Sequence, residues 1–525
     1  MRDVLDVIQQ QFRDRWDKPL LIDAVTNRTY TYAQFAAICD QLGNALIERG
    51  ATRGSRISIL LSNSPEFAAL YIACLLRGFV AVPINPSLHR KEIESLFSRS
   101  GANIVVMSPA TRVALGGAVE SFTNCVIFEM LPERELVETN HNGPFRCSMP
   151  DGGVCFVPDF SSVSPDNLLS ITFSSGTTAI PKAICHSVST LLRSAQSFNS
   201  VLEMNSENRM YHILPMFYMA GFLNTLLCPI MAGGSIVLNR PVDAKLALQF
   251  WGPAIEHEVN TLWLVPTILT SLMLIDRSKE APAWCRQHIR IACVGTAPLP
   301  FQLRKDFEAR YGIVLLESYG LSETLFVTCN TPTTMSPPGS AGRVLPGVNL
   351  RIVSEKGDAM PLLSDGEILI QSPFSLVGYI SSDTMAPDPV SRGEWFLSGD
   401  IGHLNADGDL FITNRKKDLI IRGGVNISPR AIEEVLQCHP AVEATAVIGM
   451  PHHFFGEQIV AVLKLRVGYD LPSLSKELAA LCGEHLSATS QPDRYIEVSL
   501  FPTTATGKIQ KSKLREILGA AGAGT

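Results

Sequence analysis

Four separated segments of this 525-residue chain carry side chains that could do chemistry on a charged substrate. The first is Ser174-Ser175-Gly176-Thr177-Thr178-Ala179-Ile180-Pro181-Lys182. Hydroxyls crowded around a glycine and closed by a lysine make a loop that can wrap a polyphosphate with hydroxyl and backbone N–H groups. It is not a Walker loop, because the Gly-x-x-x-x-Gly-Lys-Ser/Thr spacing is absent. The second is Glu317-Ser318-Tyr319-Gly320-Leu321-Ser322-Glu323-Thr324. An aromatic followed by glycine offers a flat surface to a planar base; the hydroxyl and carboxylate beyond it could hold phosphate and Mg2+, which prefers oxygen ligands. The third joins Ser398-Gly399-Asp400 to Asn414-Arg415-Lys416-Lys417-Asp418 and the Gly423-Gly424 pair. A buried aspartate at a strand end can accept both hydroxyls of a ribose. The fourth is Pro502-Thr503-Thr504-Ala505-Thr506-Gly507-Lys508, where Gly507 frees the backbone and a loop tip presents one lysine. Taken singly, each segment also fits an ordinary turn, a capped helix start or a solvated charge.

The elements that would position them alternate between helix and strand, which predicts α/β layers with largely parallel sheets. Leu168–Phe173 reads as a strand leading into the first segment. Asp40–Arg49 is an amphipathic helix ending at Gly50, a C-cap position. Arg56–Leu61 and Val80–Pro83 read as buried strands, with a helix over Pro65–Leu76 between them; the rhythm returns at Ala183–Met204, Gly234–Leu238, Ala244–His257 and Ile289–Val294. Ile213–Leu238 has no charged residue and is long enough to span a bilayer. Its prolines and glycines instead predict loop, buried helix, turn and strand. Beyond about residue 340, short strands at 351–353, 367–370 and 410–412 suggest a small β-barrel. The expected division is a large N-terminal domain over 1–414, made of two α/β subdomains plus that barrel, and a small mobile α+β domain over 415–525.

The net charge is −6, which argues against a protein whose main work is gripping nucleic acid or an anionic membrane. The twelve cysteines form no Cys-x-x-Cys pair, and His257-Glu258 lacks a second histidine at Thr261, so no zinc signature is present. Scattered thiols and a charged start at Met1-Arg2-Asp3 predict a reducing, cytoplasmic setting without stable membrane insertion.

In order and separation the segments resemble the adenylate-forming superfamily: acyl- and aryl-CoA synthetases, peptide-synthetase adenylation domains and firefly luciferase. The resemblance runs from Thr31-Tyr32 to Lys508. It implies ATP-dependent activation of a carboxylic acid to acyl-AMP, then transfer to the thiol of CoA or of a carrier-protein phosphopantetheine. Carried over position by position, Ser174, Ser175, Gly176, Thr177, Thr178 and Lys182 would form the phosphate loop. Tyr319 would stack on adenine, whose edge would face Gly295-Thr296-Ala297, within a nucleotide site that also takes in Glu317, Ser318 and Gly320. Ser322 would touch phosphate, Glu323 would hold Mg2+, and Asp400 with Arg415 would bind ribose. Lys508, Glu323 and Thr178 would be the catalytic groups, Lys417 the hinge, and Gly423 and Gly424 would line the thiol tunnel.

Ala179 departs from the family's usual glycine or serine, Ala183 from the glycine that commonly follows the lysine, Asn414 from its glycine and Ser322 from its threonine. The Pro215–Gly221 segment matches the acid-pocket wall, with Tyr218, Met219, Ala220, Gly221, Trp263, Thr267, Thr296 and Leu321 as expected lining. It carries no carboxylate for an α-ammonium, so a fatty, branched or aromatic acid is expected. The Arg422–Pro429 stretch resembles the CoA-ligase branch, which favours CoA over a carrier protein. A relative that only binds nucleotide as a sensor is the non-enzymatic alternative.

Overall fold

The computed structural model describes residues 3–522 apart from 123–124, 132–134, 139–145, 149–155, 174–180, 335, 382, 390–392 and 504–508. Local signals act where the sequence places them. Thr31 caps the helix Tyr32–Glu48 in a reciprocal box with Gln34, so the expected helix at 40–49 is the second half of a longer one. Ser64 caps Pro65–Arg77, which Gly78 ends in the left-handed region at φ 67°.

Two large sheets carry the N-terminal part. Each has a parallel centre and antiparallel edges. In one, the apolar strands Arg56–Leu60, Val80–Pro83, Ile104–Met107 and Leu168–Phe173 lie together and are buried almost throughout. In the other, Ser235–Leu238, Arg209–His212, Thr261–Leu264, Ile291–Val294 and Leu316–Leu321 run parallel side by side. The carboxyl ends of such strands are where open α/β sheets bind ligands. The segments at 213–221, 239–244, 265–267 and 295–297 leave from those ends.

The uncharged stretch folds as expected into loop, π-helix Ala220–Leu227, helix Cys228–Ala232, turn and strand. A Cβ on Gly221 would fall 2.1 Å from the Pro215 carbonyl oxygen, so only glycine lets this segment fold back on itself. Among the described residues no helix is long and apolar enough to cross a membrane.

Past residue 340 the expected barrel takes a different form. The strands Asn349–Val353, Gly366–Gln371, Phe396–Leu404 and Leu410–Arg415 make a four-stranded antiparallel sheet. Its two outer strands do not pair with each other, so the ring stays open among the described strands; an isolated bridge from Ser340 to Phe411 ties its edge to the preceding loop. After the short turn Lys416–Asp418, the chain builds an α+β unit with its own buried cores, one around Ile420, Ile432, Leu436 and Leu463, another around Ile448, Val460, Phe501 and Leu514. That unit rests on the strand Leu410–Arg415: Ser428 Oγ donates to the Thr413 carbonyl at 3.3 Å, and Arg430 donates to that of Ile412.

Candidate active site

Pairing across the hairpin of Phe396–Leu404 with Leu410–Arg415 sets Asp400 directly opposite Arg415. Arg415 Nε sits 2.7 Å from Asp400 Oδ1. Tyr319, from the other sheet, donates its hydroxyl to Asp400 Oδ2 at 2.7 Å. A hairpin and a strand end 81 residues before it thus meet on one carboxylate that is only 2% exposed. Burial, and then the charge of Asp400, push the Tyr319 hydroxyl well above its ordinary pKa.

The strand bearing Tyr319 turns back at once into Leu325–Cys329. A Cβ at Gly320 would lie 2.1 Å from the Leu325 carbonyl oxygen, so glycine is what allows this pinch. The turn presents Ser322 and Glu323. Buried His186 donates from Nε2 to the Ser322 carbonyl at 2.7 Å, and burial drives its imidazole down to about 4, which keeps it neutral. Glu323 lies partly buried; burial raises its carboxyl, while its own backbone N–H, Lys182 and Arg415 lower it. Tyr379 hydrogen-bonds this carboxylate, and burial followed by the charge of Glu323 pushes the phenol up to about 12. Lys182 Nζ stands 4.9 Å from the centroid of the same Tyr379 ring. Lys182 and Glu323 are therefore brought to one side chain.

Among the described residues no group of three or more His, Cys, Asp or Glu could cage a metal. Mg2+ needs no such cage, since it binds through one or two carboxylates plus phosphate oxygens and water. Glu323 fits that role: burial penalises its charge, and a divalent cation would compensate it.

Glu317 and Ser318 serve differently from Tyr319. Glu317 Oε1 takes Arg304 Nη1 at 2.9 Å; burial pushes it up to about 7, against the pull of Arg304 and then of Arg430. The Ser318 carbonyl oxygen would lie 2.8 Å from a Cβ on Gly295, so that glycine permits the two strand ends to approach. Thr296 follows at φ 69°, exposed, with Ala297 half-buried beside it.

Next to these groups is a cavity of about 410 Å3 whose lining includes Tyr218, Ala220, Gly221, Thr267 and Thr296, as the sequence suggests. Met219, Trp263 and Leu321 are not among the lining residues. Trp263 is a core residue, 2% exposed and packed between Phe198 and Phe326 at centroid distances of 5.2 and 5.5 Å. Tyr218 hydrogen-bonds Asn85, from the first sheet's side of the molecule. Thr503 of the C-terminal unit also lines the cavity.

Ser174, Ser175, Gly176, Thr177, Thr178 and Lys508 lie outside the described residues, but their flanks are placed. Before and after the first segment come the antiparallel neighbours Leu168–Phe173 and Ala183–Ser187, and next to Lys508 in the chain is Ile509, which is bridged to Thr503. Lys417 is on the turn below Arg415; partial burial and then Arg415 lower its pKa, while Asp418, Asp400 and Glu323 oppose them. Gly423 and Gly424 have φ of 58° and 81°, are exposed, and nothing lies within 4 Å of an added Cβ at either. In this arrangement the Thr503 end of the small domain faces the cavity and the glycine pair faces open space.

Sequence reasoning missed Tyr379, His186, Asn85 and the wall at Val242-Asp243. Thr503 carried a usable signal, since it shares a segment with Lys508; the others are ordinary residues of strands and loops.

An open sheet with nucleotide-type groups at its carboxyl ends, followed by a small α+β unit, defines a recognisable class. Residues 8–380 match the family model "AMP-binding enzyme", and residues 431–508 match "AMP-binding enzyme C-terminal domain". The chain belongs to the AMP-binding enzyme family, in its acyl/aryl-CoA synthetase-like branch. It is 27% identical to the sulfoacetate–CoA ligase of Cupriavidus necator, over 95% of this chain and 94% of that one. It is 29% identical to the long-chain-fatty-acid–CoA ligase FadD13 of Mycobacterium tuberculosis, over 94% of each. The crystal structure of ATP-bound MatB from Rhodopseudomonas palustris superposes with a TM-score of 0.84 at 26% identity, covering 98% of each chain.

Proposed function

We propose that this chain is an AMP-forming acid–thiol ligase that converts a carboxylic acid, ATP and CoA to acyl-CoA, AMP and pyrophosphate. The convergence of Tyr319, Asp400 and Arg415 beside Glu323 and next to a largely apolar cavity carries this reading. In the first half-reaction a carboxylate oxygen attacks the α-phosphorus of ATP and pyrophosphate leaves. In the second, the CoA sulfur attacks the acyl carbonyl and AMP leaves, with the thiol proton passing to solvent.

Two anions must meet in the first step, so positive charge has to be arranged where they meet. Lys508 is the group assigned there, with Lys182 on the phosphates. Glu323 would hold Mg2+, which when bound supplies positive charge to the triphosphate. The ring of Tyr319 would carry adenine while Asp400 and Arg415 hold the ribose, which orients the α-phosphate towards the acid. Thr178, with the rest of the serine- and threonine-rich loop, would bind the phosphates.

The position of Thr503 at the acid cavity, with Gly424 turned to open space, suits the first half-reaction. A rotation of the small domain about Lys417 would withdraw Lys508 and bring the glycine pair to the thiol. CoA, rather than a carrier-protein arm, is the acceptor favoured by the names of the relatives. Cytoplasmic placement belongs to the same proposal. The test is ATP–pyrophosphate exchange over a panel of acids, followed by thioester formation with CoA and, separately, with a phosphopantetheinylated carrier. Exchange without CoA thioester, but with carrier loading, would overturn the choice of acceptor.

A further inference from the structure

The acid cavity has a direction. The helix Pro266–Ile275 leaves the carboxyl end of the strand Thr261–Leu264, and Thr267, Ile268, Ser271 and Ile275 along one of its faces all line the cavity. Thr296 marks the reacting end beside the start of that helix, since the Gly295 N–H before it donates to the Leu264 carbonyl at 3.3 Å, and Thr503 lines the same cavity. From Thr267 to Ile275 the helix rises about 12 Å at 1.5 Å per residue. An extended hydrocarbon advances about 1.3 Å per C–C bond, so the helix passes eight to ten carbons. The volume is sufficient: about 410 Å3 exceeds the roughly 300 Å3 that ten water-sized groups of about 30 Å3 each would fill.

Its charge is equally informative. Ile213, Leu214, Val242 and Val265 complete an apolar wall. Among the described lining residues there is no lysine, arginine or histidine, and the single charged one is Asp243. That carboxylate caps the helix Ala244–Leu248 by accepting from Leu246 N at 2.6 Å. A second anionic group on the substrate would meet Asp243 and one cation, Arg240, whose Nη2 already stands 3.9 Å from that carboxylate; like charges so placed repel.

Resting on the ligase reading, we infer that the site takes a neutral, mainly apolar acyl tail of about eight to ten carbons, or an aryl acid of that length, laid along Pro266–Ile275, and rejects acids with a second negative charge. Ser271, midway along the face, and Ile275, at its end, set the length.

The test is ATP–pyrophosphate exchange by the full-length enzyme with straight-chain acids from acetate to palmitate, plus malonate and sulfoacetate. The expected kcat/KM peaks at octanoate to decanoate and is at least about tenfold lower for palmitate, malonate and sulfoacetate. Ser271→Trp, which fills the channel half-way, should raise the hexanoate-to-decanoate ratio of kcat/KM by about tenfold; if that variant does not fold, Ile275→Trp reads the same ratio at the far end. An optimum at palmitate, activity on malonate or sulfoacetate equal to that on octanoate, or an unchanged ratio in the variants would overturn the inference and leave the ligase reading standing. No exchange with any acid would overturn both.

Discussion

Replacing Tyr319 with phenylalanine isolates the contribution of one hydroxyl. The ring that would carry adenine remains, and only the 2.7 Å hydrogen bond to Asp400 Oδ2 is removed. A hydrogen bond to a charged group contributes about 1.5–3 kcal/mol. The lower end applies here: Asp400 keeps the Arg415 contact at 2.7 Å, and the Arg415 side chain is 34% exposed, so water can reach the pair from that side. A loss of about 1.5 kcal/mol corresponds to roughly tenfold in kcat/KM for ATP. Because the hydroxyl would orient the carboxylate proposed to meet the ribose, discrimination between ATP and 2′-deoxy-ATP should shrink by a similar factor. The assay is steady-state exchange at saturating acid with each nucleotide, run on Tyr319→Phe, Asp400→Asn and the double variant. Groups that share a bond should be non-additive. If Tyr319→Phe left both nucleotide parameters at the wild-type values, or if the two changes simply added, the three-residue cluster would not be the ribose-orienting device described.

Lys508→Ala should abolish adenylation yet leave thioester formation from supplied acyl-AMP largely intact; equal loss of both half-reactions would contradict the division of labour between them. Gly424→Leu should do the reverse, because its Cβ meets nothing in the present arrangement and the left-handed φ of 81° adds strain of only about 1–2 kcal/mol. Survival of CoA thioester formation in that variant would remove Gly424 from the thiol path. Acid should destabilise the fold through His186 and His212, both fully buried and held down to about 4 by desolvation. Unfolded, they take up protons near pH 6.5, so the stability they contribute is complete above that value and is lost as pH falls towards about 4, by up to about 3 kcal/mol each. Urea midpoints measured from pH 7 to pH 4.5 should fall on that course, and less steeply in His186→Gln; a midpoint rising with acid would refute it.

The parts of this protein legible in the sequence are those made by neighbours along the chain. Thr31 with Gln34, and Ser64 with Pro65, start helices through contacts spanning a single turn, and apolar runs such as Val80–Pro83 announce buried strands without help from distant residues. The nucleotide-type segments were legible for the same reason, each carrying its residue types in one short stretch. What joins them is not local. Tyr319 meets Asp400 only because two sheets end side by side, and Lys182 shares Tyr379 with Glu323 only because the strand Gly378–Ile380, distant in sequence, pairs with Ala183–Ser187.

Where an aromatic in a lining segment points also depends on packing, which is why Trp263 went to the core while Asn85 came to Tyr218 and Thr503 to the cavity. Nor does a short strand reveal its second partner, so an expected barrel proved an open sheet. The sequence by itself determined the family, the order of the chemical segments and most helix ends, since these depend on residue identity and short-range hydrogen bonding. The length and charge of the cavity proposed for the acid were decided only in three dimensions, because they are properties of the space left between elements that the chain brings together from hundreds of residues apart.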